Sequence, residues 1–211
     1  MRPRIGAAVG IMLVLLAPRL SAATPMRVAI LVDTSAGTTS AIVQIRSGVR
    51  AFLAALPAEH EVLLVTTGRR TQVRVPPTMD RSKLKDSATG LLSENGPTPL
   101  MDALTEIDDR FMRKAADRWP VFVVITGDGA ESSKPGDDLA FNRWLADIAR
   151  RGVSANAVVL KITGNGLPET IAGAIVQSTR GHYTVMSNGA RMPEAMKQLA
   201  EQLAADASQR P

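Results

Sequence analysis

The chain has 211 residues, a length that suits a single domain with a complete hydrophobic core. Hydrophobic residues make up 45% of it but aromatic residues only 3%, so the core must be aliphatic, and neither a sugar-binding groove nor a base-stacking platform is indicated. The formal charge of +5 falls to +2 once Arg2, Arg4 and Arg19 of the first 23 residues are set aside, which gives no indication of nucleic-acid binding.

The first 23 residues predict a signal peptide. Arg2 and Arg4 form a positive start, residues 5–17 are a short apolar run, and Ser21-Ala22-Ala23 supplies the small residues before a cleavage site. The apolar run is shorter than the ~20 residues that span a bilayer, which favours cleavage over a retained anchor. We therefore expect export to the periplasm or the cell exterior, with no membrane span after cleavage. Cysteine is absent, so disulfides and thiolate metal sites are excluded.

From residue 27 onward, apolar strands alternate with amphipathic helices. In chain order the predicted elements are a strand at 27–32, a helix at 39–56, strands at 61–66 and 71–75, helices at 80–92 and 99–114, a strand at 121–125, a helix at 138–150, a strand at 153–162, a helix at 168–178, a strand at 181–185 and a helix at 192–205. Each helix carries its apolar residues at spacings of three and four.

This alternation predicts one α/β domain at residues 24–206, followed by a frayed tail at 207–211. The expected fold is a doubly wound, mostly parallel six-stranded sheet with helices on both faces, which is a Rossmann-like architecture. The connection between the second and third strands is too short for a crossover, so the third is a short antiparallel edge strand. In the order 3-2-1-4-5-6, the first and fourth strands are neighbours.

Polar residues follow the strands at one edge of this sheet. Asp33 and Ser35 follow the first strand, and Asp128 follows the fourth. The turn that carries Thr98 joins a rising helix to a descending one, which places it at the same edge. Ligands bind open α/β sheets at this edge, where the winding reverses. The connectivity therefore predicts that three loops bring Asp33, Ser35, Thr98 and Asp128 together.

The chemistry of these four side chains is that of a hard, all-oxygen ligand set. Such sets suit Mg²⁺, Mn²⁺ or Ca²⁺ and not zinc. Each residue also has a purely structural interpretation: Asp33 and Ser35 suit a turn, Thr98 suits a helix N-cap before Pro99, and Asp128 suits a turn before Gly129.

Four segments carry a family resemblance. They are Asp33-Thr34-Ser35-Ala36-Gly37, Thr98 within Gly-Pro-Thr-Pro-Leu-Met-Asp-Ala-Leu, Ile125-Thr126-Gly127-Asp128-Gly129, and Ser178-Thr179-Arg180-Gly181-His182-Tyr183. Together they resemble the von Willebrand factor type A (vWA) domain over about residues 26–203. The resemblance implies that family's six-stranded fold.

Members of the family typically carry a metal ion-dependent adhesion site, written Asp-x-Ser-x-Ser, with a Thr from a second loop and an Asp from a third. The resemblance implies that Asp33, Ser35, Thr98 and Asp128 hold a divalent cation, Mg²⁺ or Mn²⁺, and that a protein ligand completes the coordination with a carboxylate. Two departures are visible. Gly37 replaces the second serine, with Thr38 next in line, and Gly127 shifts Asp128 by one residue.

Parts of the sequence also suit three other functions. A haloacid-dehalogenase-like phosphotransferase needs a second Asp where Ser35 stands. A serine hydrolase could use Ser35, Asp128 and His182 in chain order, but Ser35 lacks the Gly-x-Ser of a nucleophile elbow. A metal-free scaffold of the same fold could bind through other surfaces, such as Arg69, Arg70 and Arg74 on the edge hairpin, although charged edges commonly prevent aggregation. The sequence thus predicts a binding module and not an enzyme.

Overall fold

The computed structural model describes residues 23–115, 117–134, 138–161 and 166–210, so the predicted signal peptide, apart from Ala23, lies outside the described residues. The six strands are β1 (Met26–Asp33), β2 (Glu61–Thr67), β3 (Thr71–Thr78), β4 (Trp119–Gly127), β5 (Ser154–Leu160) and β6 (Tyr183–Met186). Their order in the sheet is β3-β2-β1-β4-β5-β6, and every neighbouring pair is parallel except β2 and β3. The predicted fold and strand order are confirmed.

The described residues form six α-helices, of which five lie between strands and the sixth follows β6. They are α1 (Ile42–Ala55), α2 (Arg81–Thr89), α3 (Leu100–Ile107), α4 (Asp138–Arg150), α5 (Leu167–Thr179) and α6 (Met192–Ser208). Short 3-10 turns at Ala36–Ala41 and Gly189–Arg191 lead into α1 and α6, and a π turn at Asp108–Met112 extends α3.

The sheet separates two apolar layers. Alternate residues of β1 point to opposite faces, so Val28 and Ile30 pack with α1, α2 and α6, while Ala29 and Leu31 pack with α3, α4 and α5. Complete burial of such aliphatic side chains contributes roughly 1.5–3 kcal/mol each. Burial on both faces explains why the central strands read as continuous apolar runs.

Several elements end at residues other than those predicted. β3 runs through Pro76 and Pro77 to Thr78, whereas the prolines were expected to stop it at residue 75. An edge strand tolerates proline because its outer backbone groups need no partner. The helix expected from residue 39 starts as a 3-10 turn, and the helix expected to reach residue 114 changes to the π turn at Asp108.

More of the C-terminal segment is ordered in a helix and packed against the domain than the sequence predicts. α6 continues to Ser208, where a frayed tail was expected from residue 207. The Arg210 guanidinium lies 3.8 Å from the ring centroid of Trp119, and its Nη2 donates to the Gly152 carbonyl at 3.4 Å. This cation–π contact holds the end of the chain against the start of β4.

Candidate functional site

Backbone hydrogen bonds join the loops at the carboxyl ends of β1, β2 and β4 to the α2–α3 loop. The Ala36 amide donates to the Gly96 carbonyl at 3.0 Å, and the Thr98 amide donates to the Ala130 carbonyl at 2.9 Å. The Thr34 amide donates to the Thr67 carbonyl at 3.3 Å. The loops expected to converge therefore do so, and we call their surface the loop face.

Asp33 is the last residue of β1, and its side chain is buried, with 1% of its surface exposed. Its Oδ1 accepts a hydrogen bond from the Ser35 amide at 2.8 Å, and its Oδ2 accepts one from the Thr126 hydroxyl at 2.8 Å. Burial raises the pKa of the Asp33 carboxyl above its ordinary value, although the hydrogen bonds from Ser35 and Thr126 oppose the shift. Among the described residues, no Lys, Arg or His forms an ion pair with Asp33.

The Ser35 hydroxyl lies beside Asp33 in the same loop and is completely buried. Within the part of the chain that the structure describes, its Oγ has no hydrogen-bond partner. A buried hydroxyl without a partner is costly, by about 1–3 kcal/mol, so it indicates a missing donor or a missing ligand. Ser35 Oγ is therefore a candidate ligand atom on the loop face, beside the Asp33 carboxylate.

Thr98 is buried in the α2–α3 loop and does not cap α3. Its Oγ1 lies 2.8 Å from the Thr67 carbonyl, to which it donates, and 2.9 Å from the Thr67 hydroxyl. The hydroxyl proton of Thr98 is therefore used in hydrogen bonding to Thr67 at the end of β2. A lone pair on the same oxygen is left for a cation. Thr67 is a member of this network that the sequence did not single out.

Asp128 follows β4 and is half-buried. Its backbone is closely packed: a Cβ added to Gly166 would lie 2.7 Å from the Asp128 carbonyl carbon, and one added to Gly37 would lie 3.6 Å from it. The residue before α5 therefore packs against the Asp128 backbone at a distance that only glycine permits, while the loop after β1 is in ordinary contact with it.

Gly37 occupies the position of the second serine of the adhesion motif. A Cβ at Gly37 would lie 2.6 Å from both the Cα and the nitrogen of Gly129, so that space is filled by backbone. Thr38 is the next residue in the chain, and its hydroxyl donates to the Asp33 carbonyl at 2.8 Å and lies 3.2 Å from the Ser35 carbonyl, so, as at Thr98, only a lone pair of its oxygen is left for a cation. Gly37 itself supplies no hydroxyl ligand to the loop face.

Two carboxylates near the loop face were not predicted. Glu94 accepts from the Arg69 amide at 3.2 Å and the Thr34 hydroxyl at 3.4 Å, and so ties the α2–α3 loop to β1 and to the β2–β3 turn. Glu131 accepts from the amides of Leu100 at 3.1 Å and Ser133 at 2.8 Å, at the N-terminus of α3. Burial raises the pKa of the Glu131 carboxyl. Neither residue follows an apolar strand directly, which is why the pattern did not mark them.

The residues of the hydrolase alternative do not meet. His182 precedes β6, at the amino edge of the parallel strands, and its Nε2 lies 2.9 Å from Asp206 Oδ2. Ser35 and Asp128 follow β1 and β4 at the opposite edge. A Ser–His–Asp relay needs direct hydrogen bonds between its members, so this arrangement does not form one.

The donor set fits a divalent cation in part. A buried carboxylate without a cationic partner and an unpartnered hydroxyl beside it are features that a metal ion would satisfy. Against this, the described residues contain no group of three or more His, Cys, Asp or Glu that could hold a metal ion, and Gly37 supplies no side chain. An ion here would therefore rely on hydroxyls, on Asp33 and Asp128, and on water.

The sequence matches the family model of the von Willebrand factor type A domain over residues 28–131. This chain carries a von Willebrand factor type A domain. The matched region begins in β1 and ends at Glu131, so it contains every predicted site residue of the loop face. No protein of curated function matches the sequence.

Solved structures share the fold of this vWA domain. BatB from Bacteroides thetaiotaomicron is 17% identical, with a TM-score of 0.65 over 85% of this chain and 99% of BatB. The manganese-loaded TRAP protein of Plasmodium vivax is 14% identical, with a TM-score of 0.61 over 84% of this chain and 74% of that one. Identities this low establish the fold alone.

A third structure bears on the metal question. Proximal thread matrix protein 1 from the mussel byssus, with a zinc-occupied adhesion motif, is 14% identical, with a TM-score of 0.66 over 86% of this chain and 46% of that one. Structures of this fold therefore include ones that hold manganese or zinc. Across the described ranges of this chain, no helix has the length and apolar character needed to cross a bilayer.

Proposed function

We propose that this vWA domain is a non-catalytic binding module whose loop face, formed around Asp33, Ser35, Thr98 and Asp128, contacts a protein ligand. The signal-peptide pattern of residues 1–23 supports binding outside the cytoplasm, in the periplasm or beyond the cell. The observation that carries the proposal is the buried Asp33 carboxylate beside the unpartnered Ser35 hydroxyl.

The Asp33 side chain is a buried carboxyl group, and burial penalises its charged form. A buried carboxylate is stable when it is paired, hydrogen-bonded or bound to a metal, and otherwise it takes up a proton. Asp33 is hydrogen-bonded by Ser35, Thr126 and the Gly127 backbone but has no ion pair within the described residues, so its negative charge is only partly compensated. A ligand that brings positive charge to the loop face would complete the compensation.

A divalent cation, Mg²⁺ or Mn²⁺, is the proposed bridge to that protein. Asp33, Ser35, Thr98 and Asp128 would hold it, and a bound cation would attract a carboxylate of the protein ligand. Because Gly37 supplies no oxygen, water must complete more of the coordination, and we expect weak affinity. The oxygen-only set suits Mg²⁺ and Mn²⁺ better than a metal that prefers sulfur ligands.

Calorimetric titration of Mg²⁺, Mn²⁺ and Ca²⁺ into the protein from Thr24 onward tests this proposal. Every residue of the two core layers lies within that stretch. Asp33→Asn is the matched variant: it removes the charge but keeps an oxygen for the Ser35 amide, and the Thr126 hydroxyl can reverse its role and accept from the new amide. Heat in the unaltered protein that disappears in Asp33→Asn supports the cation site. Equal heats in both proteins would refute it.

A second candidate function is a metal-free vWA scaffold. The observation that favours it is the close contact of Gly37 with Gly129, which fills the place of a metal-ligating hydroxyl with backbone. On this proposal the loop face binds its protein without a cation. Partner binding that persists in EDTA and in Asp33→Asn would favour the scaffold over the cation bridge.

A further inference from the structure

The outer edge of β3 is bordered by open space on both faces of the sheet. One open cavity of about 680 Å³ lies on the α3 side and includes Arg70 and Thr71, and a second of about 590 Å³ includes the same two residues and continues to Arg74. β3 pairs only with β2 among the described strands. We call the surface formed by Arg70, Thr71, Gln72, Val73 and Arg74 the β3 groove.

Positive charge in the β3 groove is not neutralised. Neither Arg70 nor Arg74 forms an ion pair with any carboxylate in the described ranges, and both are exposed. Among the other described arginines, Arg27, Arg110, Arg113, Arg118, Arg150 and Arg151 pair with Asp or Glu, whereas the rest, including Arg69 beside the groove, do not. The β3 groove thus carries two exposed arginines whose charge no carboxylate of the described residues neutralises.

The Arg70 guanidinium is held by its neighbour on the strand. With the Gln72 amide oriented so that its oxygen faces Arg70, that oxygen accepts from Arg70 Nε at 2.9 Å and from Nη2 at 3.1 Å. Arg70 immediately precedes β3, and Gln72 is the second residue of that strand. This contact reduces the rotamer entropy that Arg70 would lose on binding an anion.

The two faces of the β3 groove differ in charge. Arg70, Gln72 and Arg74 border the cavity that also contacts Ser87 of α2, and no acidic residue lines it. The cavity on the α3 side contains both signs, with Asp102, Glu106 and Asp109 as well as Arg69, Arg70 and Lys134. An extended chain beside β3 would therefore meet positive charge on the α2 side and a mixed surface on the α3 side.

We propose that the β3 groove binds an extended acidic peptide segment of a partner protein, which pairs with the outer edge of β3 and directs alternate Asp or Glu residues toward Arg70 and Arg74. Main-chain hydrogen bonds to the free edge give affinity, and the alternation of side chains gives specificity. The arginines select by charge complementarity, since they repel basic edges and attract acidic ones.

The irregular lower half of β3 limits the length of the paired segment. The register with β2 shifts between Val73 and Val75, and Pro76 and Pro77 follow. A bulge and prolines discourage further pairing of an edge strand. The proposed docking therefore involves residues 70–73, and Arg74 contributes its charge at the end.

Fluorescence anisotropy with a labelled, end-capped peptide in which glutamate alternates with threonine tests this proposal on the protein from Thr24 onward, in EDTA. The double variant Arg70→Glu with Arg74→Glu reverses the groove charge. The double variant Arg50→Glu with Arg143→Glu changes the net charge equally at two exposed arginines on α1 and α4. Two further peptides serve as controls: one with its glutamates in a single block, and one with N-methylated backbone amides.

Binding that is at least about tenfold weaker in the groove variant than in the control variant, and weaker for both control peptides, supports the proposal. Equal binding by the two double variants, or no saturable binding by the unaltered protein, overturns it. The inference does not depend on the loop face: Asp33→Asn should leave peptide binding unchanged, and loss of binding in that variant would assign the peptide to the loop face instead.

Discussion

Gly37 and Gly129 are in direct backbone contact, although 91 residues separate them in the chain. A Cβ on Gly37 would lie 2.6 Å from the Gly129 nitrogen, and a Cβ on Gly127 would lie 2.6 Å from the Gly37 carbonyl oxygen. Both distances are shorter than any ordinary contact, so the loops after β1 and β4 pack as closely as they do only because these positions lack side chains. A position that bears a metal-ligating hydroxyl in the family pattern here serves loop packing.

We expect Gly37→Ser, which restores the motif serine, to destabilise the fold by about 1–3 kcal/mol because the new side chain overpacks the loop contact. Urea unfolding measures the change. Gly173→Ala, in the middle of α5, is the matched control. Nothing lies within 4 Å of the added carbon, so the free energy of unfolding of this variant should rise by about 0.5–1 kcal/mol. Wild-type stability in Gly37→Ser, together with tighter Mg²⁺ binding, would mean that the two loops can separate to accept the serine.

The Ser35→Ala variant tests whether the Ser35 hydroxyl binds a ligand or stabilises the fold. This hydroxyl has no partner in the described structure, so removal in metal-free buffer should leave the free energy of unfolding unchanged or raise it by up to about 1 kcal/mol. The increase in melting temperature on adding Mg²⁺ or Mn²⁺ should fall in the same variant. Thr38→Val removes a hydroxyl that donates to backbone, and should cost about 1–2 kcal/mol. A cost for Ser35→Ala as large as that would indicate a structural partner for Ser35.

His60 should make stability depend on pH. Its Nδ1 accepts from the Met26 amide at 3.2 Å, and the side chain is 1% exposed. Burial lowers the pKa of His60 below its ordinary 6.5; Arg81 and Arg118 add to the shift and Glu59 opposes it. Because the folded protein favours the neutral imidazole, this stabilisation is complete above about pH 6.5 and is lost as the pH falls toward the pKa of the folded state.

Chemical denaturation from about pH 8 to about pH 5 of the unaltered protein and His60→Gln measures this effect. Glutamine can still accept from the Met26 amide but does not titrate. The raised pKa values of Asp33 and Glu131 act in the opposite direction, since those carboxyls favour folding more as they become protonated, and they are common to both proteins. The unaltered protein should lose about 1.4 kcal/mol more per pH unit below ~6.5 until the pKa of folded His60 is reached. Parallel curves would contradict this account.

Asp108 and Asp109 are neighbours in the sequence, but replacing them should have very different effects on the stability of the fold. Asp108 is completely buried, and its Oδ2 accepts from Trp144 Nε1 at 2.9 Å and pairs with Arg151 at 2.5 Å, which joins the π turn after α3 to α4. Asp108→Ala leaves the buried Trp144 Nε1 without its acceptor and removes one of the two carboxylates that pair with Arg151, which keeps Asp147, so the change should cost about 1–3 kcal/mol. Asp109 is 70% exposed and pairs with Arg113, so Asp109→Ala should change stability by less than about 0.5 kcal/mol. Similar costs for both, measured by thermal or urea unfolding, would show that the buried pair is not the dominant contact between these elements.

The parts of the candidate site that could be predicted from the sequence are those that depend on strand direction. Asp33 and Asp128 each follow a continuous apolar run, and parallel strands that flank one another end at the same edge, so their proximity follows from connectivity. The bond from Thr126 to Asp33 could not be predicted in this way. It depends on which face of β4 the Thr126 side chain occupies and on the register of β1 with β4, and the local sequence encodes neither alone.

The sequence by itself determined the six-stranded α/β fold, the strand order and the loops that meet, because these follow from hydrophobic periodicity and from the lengths of the connections. The tertiary structure alone decided how those loops meet. Whether a hydroxyl such as that of Ser35 has a partner, whether Thr38 faces a carboxylate or a backbone carbonyl, and whether Gly37 has room for a side chain depend on distances of a few tenths of an ångström between segments far apart in the chain. Because the loops are closely packed, these distances decide whether a position can bind a ligand. Space the size of one methyl group is enough to change a closed backbone contact into a position that accepts a side chain or a ligand.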